Sequence, residues 1–276
     1  MKELRLSHGT IDVTERGEGP PIVLVHGVFV NAELWRGVMQ RLSATHRCIA
    51  LTLPLGAHRT PTPPGTDLSL TGLARMVAEA LERLELEDVT LVGSDTGGAI
   101  CQLTVAHHPE RVGRLALFSC DAYEHFPPTL LKPLCALARR APRAVAAVLG
   151  GMRLRAAQVA VRMSVAKRGD PGLERAFARS LAEIPGVRRD LVEVLARAEP
   201  VYTLAAVDGL RRFGRPALVA WADGDLFFPR ADGERLARDL GARFEVVEDS
   251  RTLVPLDQPE RIAELIEELA RPRAYP

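Results

Sequence analysis

The sequence predicts an α/β protein, a mostly parallel, doubly wound sheet with an inserted helical lid. Three observations carry this expectation. Short, continuous apolar runs recur along the chain, as strands buried on both faces require. Stretches with apolar residues at helical spacing lie between them. One segment rich in Ala, Arg and Leu, from about Asp121 to Leu210, breaks that alternation with almost no strand signal. The 276 residues, 47% hydrophobic and 26% charged, suit one domain with an insertion and an ample core.

The first 17 residues alternate and carry turn formers, which predicts a β-hairpin. Strands are expected at Pro21–Val25, Cys48–Leu53, Val89–Val92, Arg114–Ser119, Ala217–Trp221 and Arg243–Val247. Trp35, Val38, Met39 and Leu42 form one helical stripe, and Leu73, Val77, Ala80, Leu81 and Leu84 form another. A third, Ile262, Leu265, Ile266 and Leu269, follows Pro259, a suitable first-turn proline. Pro and Gly interruptions cut residues 121–210 into several short helices without a fixed period. The expected division is therefore a core of residues 1–120 and 211–276 and a helical cap of residues 121–210.

Composition excludes several function classes. A net charge of +1 makes the whole chain no magnet for nucleic acid. The longest apolar run, Ala144 to Met152, falls far short of the ~20 residues a membrane helix needs, so no membrane partner is expected. The N-terminus has no apolar signal core, which leads to an expected cytoplasmic location. Cys48, Cys101, Cys120 and Cys135 show no paired spacing and read as reduced core thiols. No organic cofactor or metal is implied; His107 and His108 are adjacent and point apart in a helix.

The strongest local signal is Gly93-Ser94-Asp95-Thr96-Gly97-Gly98, where a buried strand runs into a helix. Small neighbours permit a turn so tight that the central residue is strained and held above the sheet. A carboxylate there also faces a helix N-terminus, whose N–H groups favour an anion.

Further segments carry a family resemblance. His26-Gly27 after a strand, with Trp35 beyond it, resembles the oxyanion loop of the α/β-hydrolase superfamily. Leu53-Pro54-Leu55-Gly56 resembles the loop after the next strand. Trp221-Ala-Asp-Gly-Asp225 resembles the strand end that supplies the triad acid, and Asp257-Gln-Pro-Glu260 resembles the lead into the last helix. The resemblance covers essentially all of the chain outside the lid and implies an α/β-hydrolase fold. Asp at the nucleophile elbow looks like the epoxide hydrolases and haloalkane dehalogenases, in which an aspartate nucleophile forms an alkyl ester that a His-activated water then cleaves. Asp95 would be that nucleophile, Asp225 the supporting acid, and Asp121 a second candidate acid. The oxyanion loop His26, Gly27 and Val28 would set the backbone N–H of Val28 beside that of Thr96.

One part is missing. Aligning back from Gln258-Pro259 puts Thr252 at the position of the family histidine. The histidines are 8, 26, 46, 58, 107, 108 and 125, and none lies beyond position 125. A carboxylate attacks carbon unaided, but cleaving the resulting ester needs a base near pKa 7. His58 and His125 are the candidate stand-ins. The halide-holding Trp and Asn positions of dehalogenases are Thr96 and Val28 here. Where epoxide hydrolases have His-Gly-x-Pro and two lid tyrosines, the chain has Phe29 and offers only Tyr123 and Tyr202.

From His125 to Gly169 the chain has nine Lys or Arg and no Asp or Glu, which suits an anionic or carrier-bound small-molecule substrate. Three readings follow. The leading one is a hydrolase of a carbon–heteroatom bond in a small organic substrate, with Asp95 as the nucleophile; the others are alternatives. Another is a lyase, isomerase or cyclase with Asp95 as acid–base. The last is a ligand-binding pseudo-hydrolase.

Overall fold

A computed structural model describes residues 2–151 and 154–271. Its sheet has eight strands: β1 (Lys2–Leu6), β2 (Gly9–Arg16), β3 (Pro21–Val25), β4 (Arg47–Thr52), β5 (Val89–Asp95), β6 (Val112–Cys120), β7 (Ala217–Ala222) and β8 (Arg243–Val247). Their spatial order is β1-β2-β4-β3-β5-β6-β7-β8. The opening hairpin pairs antiparallel, with Leu6 opposite Gly9, and β2 joins β4 antiparallel. From β4 to β8 every neighbouring pair is parallel. All six expected apolar runs are strands.

Alternation along the central strands builds two cores. Val23, Val25 and Leu91 face one side, where α2 (Leu70–Arg83) and α3 (Thr96–His107) pack. Ile22, Leu24 and Val92 face the other, against α1 (Arg36–Leu42) and the C-terminal α12 (Pro259–Ala270). Successive side chains of a strand point to opposite faces, so each run must be apolar throughout.

Between β6 and β7 lie α4 (Lys132–Arg140), α5 (Pro142–Gly150), α6 (Arg155–Val165), α7 (Pro171–Glu183), α8 (Pro185–Ala196) and α9 (Pro200–Arg212). α10 (Arg230–Leu240) joins β7 to β8, and a short α11 (Val254–Asp257) leads into α12. Four of the inserted helices begin at a proline, whose fixed φ suits a first helical turn and whose missing N–H costs nothing there. α9 falls inside the range expected for the cap, yet it packs on α3 and α10 of the core. The reason is local: Gly209 lies directly over Ala106, where a Cβ would collide with the α3 backbone.

A buried polar knot helps tie the inserted helices to the core. The Nε2–H of His58 donates to Asp190 of α8 at 3.1 Å, since Nδ1 accepts from the Gly56 N–H. Asp190 also accepts from the Thr62 N–H and from Arg189. Burial alone would push the Asp190 carboxyl up, but these donors hold it below the usual carboxylate range. Asp190→Ala strands a buried imidazole and a buried N–H, so it is expected to cost about 3 kcal/mol. The midpoint of urea unfolding, with an unchanged slope, measures this.

Candidate active site

Strand order reverses around β3, because β4 lies on one side of it and β5 on the other. Loops leaving the C-terminal ends of strands at such a point diverge and leave a crevice. His26 and Gly27 follow β3, Asp95 ends β5, Asp121 follows β6, Asp225 follows β7 and Thr252 follows β8. The topology thus delivers them to one edge of the sheet.

Asp95 sits at φ 58°, ψ −137°, a strained backbone for a residue with a side chain. Its surroundings are cut to fit: a Cβ at Gly27 would overlap the Asp95 carboxyl, and one at Gly97 would overlap the carbonyls of Val25 and His26. The N–H groups of Thr96 and Val28 donate to the Asp95 carboxyl. Beneath this loop His26 is fully buried. Its Nε2 accepts from the Leu53 N–H at 3.0 Å and its Nδ1–H donates to the Gly27 carbonyl at 2.7 Å. Burial pushes the imidazole down to about 4, so it stays neutral and braces the loop.

Three carboxyl groups share this edge. Burial raises Asp95 to about 7, with the charge of Asp225 adding to the rise and the two N–H groups opposing it. Burial likewise raises Asp225, against the pull of the Phe227 and Phe228 N–H groups. Asp121 is pushed well above the usual range by burial and by Asp95. The Thr96 hydroxyl donates to Asp121 at 2.8 Å and lies 3.4 Å from Asp95, linking the two.

Above Asp95 is a cavity of about 470 Å³ roofed by the cap. Its walls are mainly apolar and include Leu131, Leu149, Leu173, Phe177, Phe227 and Leu253. Val28, Asp95 and Thr252 all reach it. The Thr252 hydroxyl donates to Asp225 at 2.8 Å. The polar part of the wall includes Arg162 of α6, paired with Glu174 of α7 at 3.3 Å.

The stand-in bases lie elsewhere. His58 is held by Asp190 beneath the cap and does not line the cavity. His125 is half-exposed, 2.8 Å from Asp232 of α10, and does not line it either. Each is drawn away by a carboxylate more than a hundred positions distant, which no local pattern reveals. The tyrosines do not reach the cavity. Tyr123 donates to Asp239 at 2.8 Å with Arg235 stacked on its ring, and Tyr202 packs against the core on α9. Sequence reasoning missed Arg162 and Glu174 as cavity residues; only the packing of α6 on α7 brings them together.

Residues 20–259 match a family model described as alpha/beta hydrolase fold. The chain belongs to the α/β-hydrolase family. A Mycobacterium tuberculosis protein of uncharacterised function is 26% identical over 271 residues, spanning 91% of this chain and 75% of its own length. A cis-3-alkyl-4-alkyloxetan-2-one decarboxylase from Shewanella oneidensis is 33% identical over 120 residues, 43% of this chain and 37% of its own length. The structure of a thermophilic esterase from Thermogutta terrifontis superposes with a TM-score of 0.76 at 20% identity, covering 97% of each chain, which shows the shared fold. Relatives of this α/β-hydrolase are named as esterases, hydrolases and an epoxide hydrolase.

Proposed function

We propose that this α/β-hydrolase-fold enzyme carries out a non-hydrolytic reaction, a lyase or isomerase step on a small apolar substrate, with Asp95 as the acid–base. The observation that carries the reading is a buried carboxyl with its pKa pushed to about 7, facing an apolar cavity that no histidine lines. General acid–base catalysis works best when the group titrates near the operating pH. Hydrolysis through an alkyl ester would instead need an activated water. His58 and His125 are committed to Asp190 and Asp232, and the Thr252 hydroxyl is no base at neutral pH.

The N–H groups of Val28 and Thr96 favour negative charge at the elbow, which lets Asp95 both hold a proton and release it. The cavity favours a neutral substrate over the anionic one suggested by the cap's basic residues. Among the described residues the cation that lines it, Arg162, is paired with Glu174, and Lys167 pairs outside it with Asp249.

A second reading has one specific support, the decarboxylase among the relatives. In an oxetan-2-one, the Asp95 carboxylate would attack the ring sp³ carbon bonded to oxygen. That C–O bond breaks and frees a carboxylate. Loss of CO₂ then forms the alkene and expels Asp95, so neither water nor base is consumed.

Both non-hydrolytic routes are tested against hydrolysis by the same isotope experiment. The protein is incubated with epoxides, alkyl halides, activated esters and β-lactones in ¹⁸O-labelled water, and the peptide carrying Asp95 is analysed by mass. No ¹⁸O is expected in Asp95. Turnover with ¹⁸O entering that carboxyl would establish the hydrolytic ester route and overturn the proposal.

A further inference from the structure

The cavity mouth is unusual in what borders it. Val148 of α5, Leu154 just before α6 and Val161 of α6 line the cavity, yet they are 66%, 63% and 37% exposed. Leu130 and Met163, each next in sequence to cavity-lining residues, are exposed as well. Apolar side chains that line the cavity are thus also exposed on the outside of the inserted helices, and exposed apolar surface of this kind can mark an interaction site.

The inserted segment that carries these side chains is basic. Lys132, Arg140, Arg143 and Arg168 are exposed on the cap, and the sequence has no acidic residue from 125 to 169. The acids at the cavity's polar end are already engaged, Asp170 by Arg36 and Glu174 by Arg162. Cations flanking exposed apolar side chains complement a surface that is anionic outside and apolar within.

We propose that the cap rim docks the protein on an anionic lipid surface, from which an apolar substrate passes directly into the cavity. No described helix is long and apolar enough to cross a bilayer. The docking is peripheral, by side chains that insert at the headgroup level with basic residues against lipid phosphates. It stands independently of the chemistry assigned to Asp95.

Cosedimentation of the full chain with vesicles tests this, using phosphatidylcholine alone and phosphatidylcholine with phosphatidylglycerol. Binding is expected on the anionic vesicles and is expected to weaken as salt is added. Lys132→Gln, Arg140→Gln and Arg143→Gln together are expected to weaken it roughly a hundredfold, at about fivefold per charge removed. Leu130→Asp with Met163→Asp is expected to abolish it. Absence of binding to anionic vesicles, binding indifferent to salt, or binding untouched by both sets of variants would overturn the proposal. So would tighter binding to an acidic acyl carrier protein than to the vesicles. Thermal unfolding shows whether each variant is folded, and the salt and lipid arms need only the native protein. Asp95→Asn is expected to sediment like the native chain, so a failed docking and a failed role for Asp95 register separately.

Discussion

Asp95→Asn is expected to stabilise the protein at neutral and alkaline pH while it removes the activity. Unfolded, this carboxyl titrates in the ordinary range near 3.8; folded, it titrates at about 7. A raised folded pKa means that the native state prefers the protonated form. Stability is then greatest below the unfolded pKa and falls as pH rises through the folded one. Near pH 8 the native chain holds a buried anion that the amide does not, and the difference is on the order of 3 kcal/mol. The gap between variant and native should narrow as pH falls from about 7 and close below about 3, where the acid is neutral in both states. Urea unfolding across that range measures it. An Asn variant less stable than native at pH 8 would show that the carboxylate is well solvated, and the proposed acid–base role would fail with it. Loss of turnover should reach at least about a hundredfold, the usual contribution of a positioned acid–base.

Thr252→His is expected to have an equally large effect in the opposite sense, by creating a hydrolase. The side chain at this position already reaches both the cavity and, through its hydroxyl at 2.8 Å, Asp225. An imidazole there would place one nitrogen on Asp225 and the other toward the elbow, where it could activate water against an ester on Asp95. Single-turnover incubation with an epoxide or alkyl halide should then place ¹⁸O in the Asp95 peptide, with ester breakdown at least about a hundredfold faster than in the native protein. Failure to gain any hydrolysis in a folded variant would mean that the missing histidine is not what separates this site from its hydrolytic relatives. The imidazole would also give Asp225 a cationic partner and lower a carboxyl that burial now raises.

How much of this was legible in the sequence differs from residue to residue. Asp95 was, because its turn is built from neighbours: Gly93, Gly97 and Gly98 stand within a few positions of it and supply the close approaches that the strained backbone demands. Thr252 was, because counting back from Gln258-Pro259 needs no tertiary information. The cap boundary was only partly legible. The prolines that start α5, α7, α8 and α9 all show, but the return of α9 to the core depends on Gly209 meeting Ala106, a contact between segments about a hundred residues apart. Tyr123 and Tyr202 looked like candidate donors by type and position, and the structure turns them into packing. The basic run of the cap was visible and read as a substrate attractant; the fold shows that Lys132, Arg140, Arg143 and Arg168 are exposed.

By itself, then, the sequence determined the sheet and the tight turn that carries Asp95. Each depends on backbone geometry and on residues adjacent in the chain, so periodicity and spacing carry the information. The tertiary structure alone decided which titratable groups face the cavity. His58 could have been a base until Asp190, 132 positions away, took its proton-bearing nitrogen, and the carboxyl of Asp95 acquires a pKa near neutrality only after the cap and the strand ends exclude water from it. Ionisation and pairing follow from burial and from distances through space, and neither is written in the order of the residues.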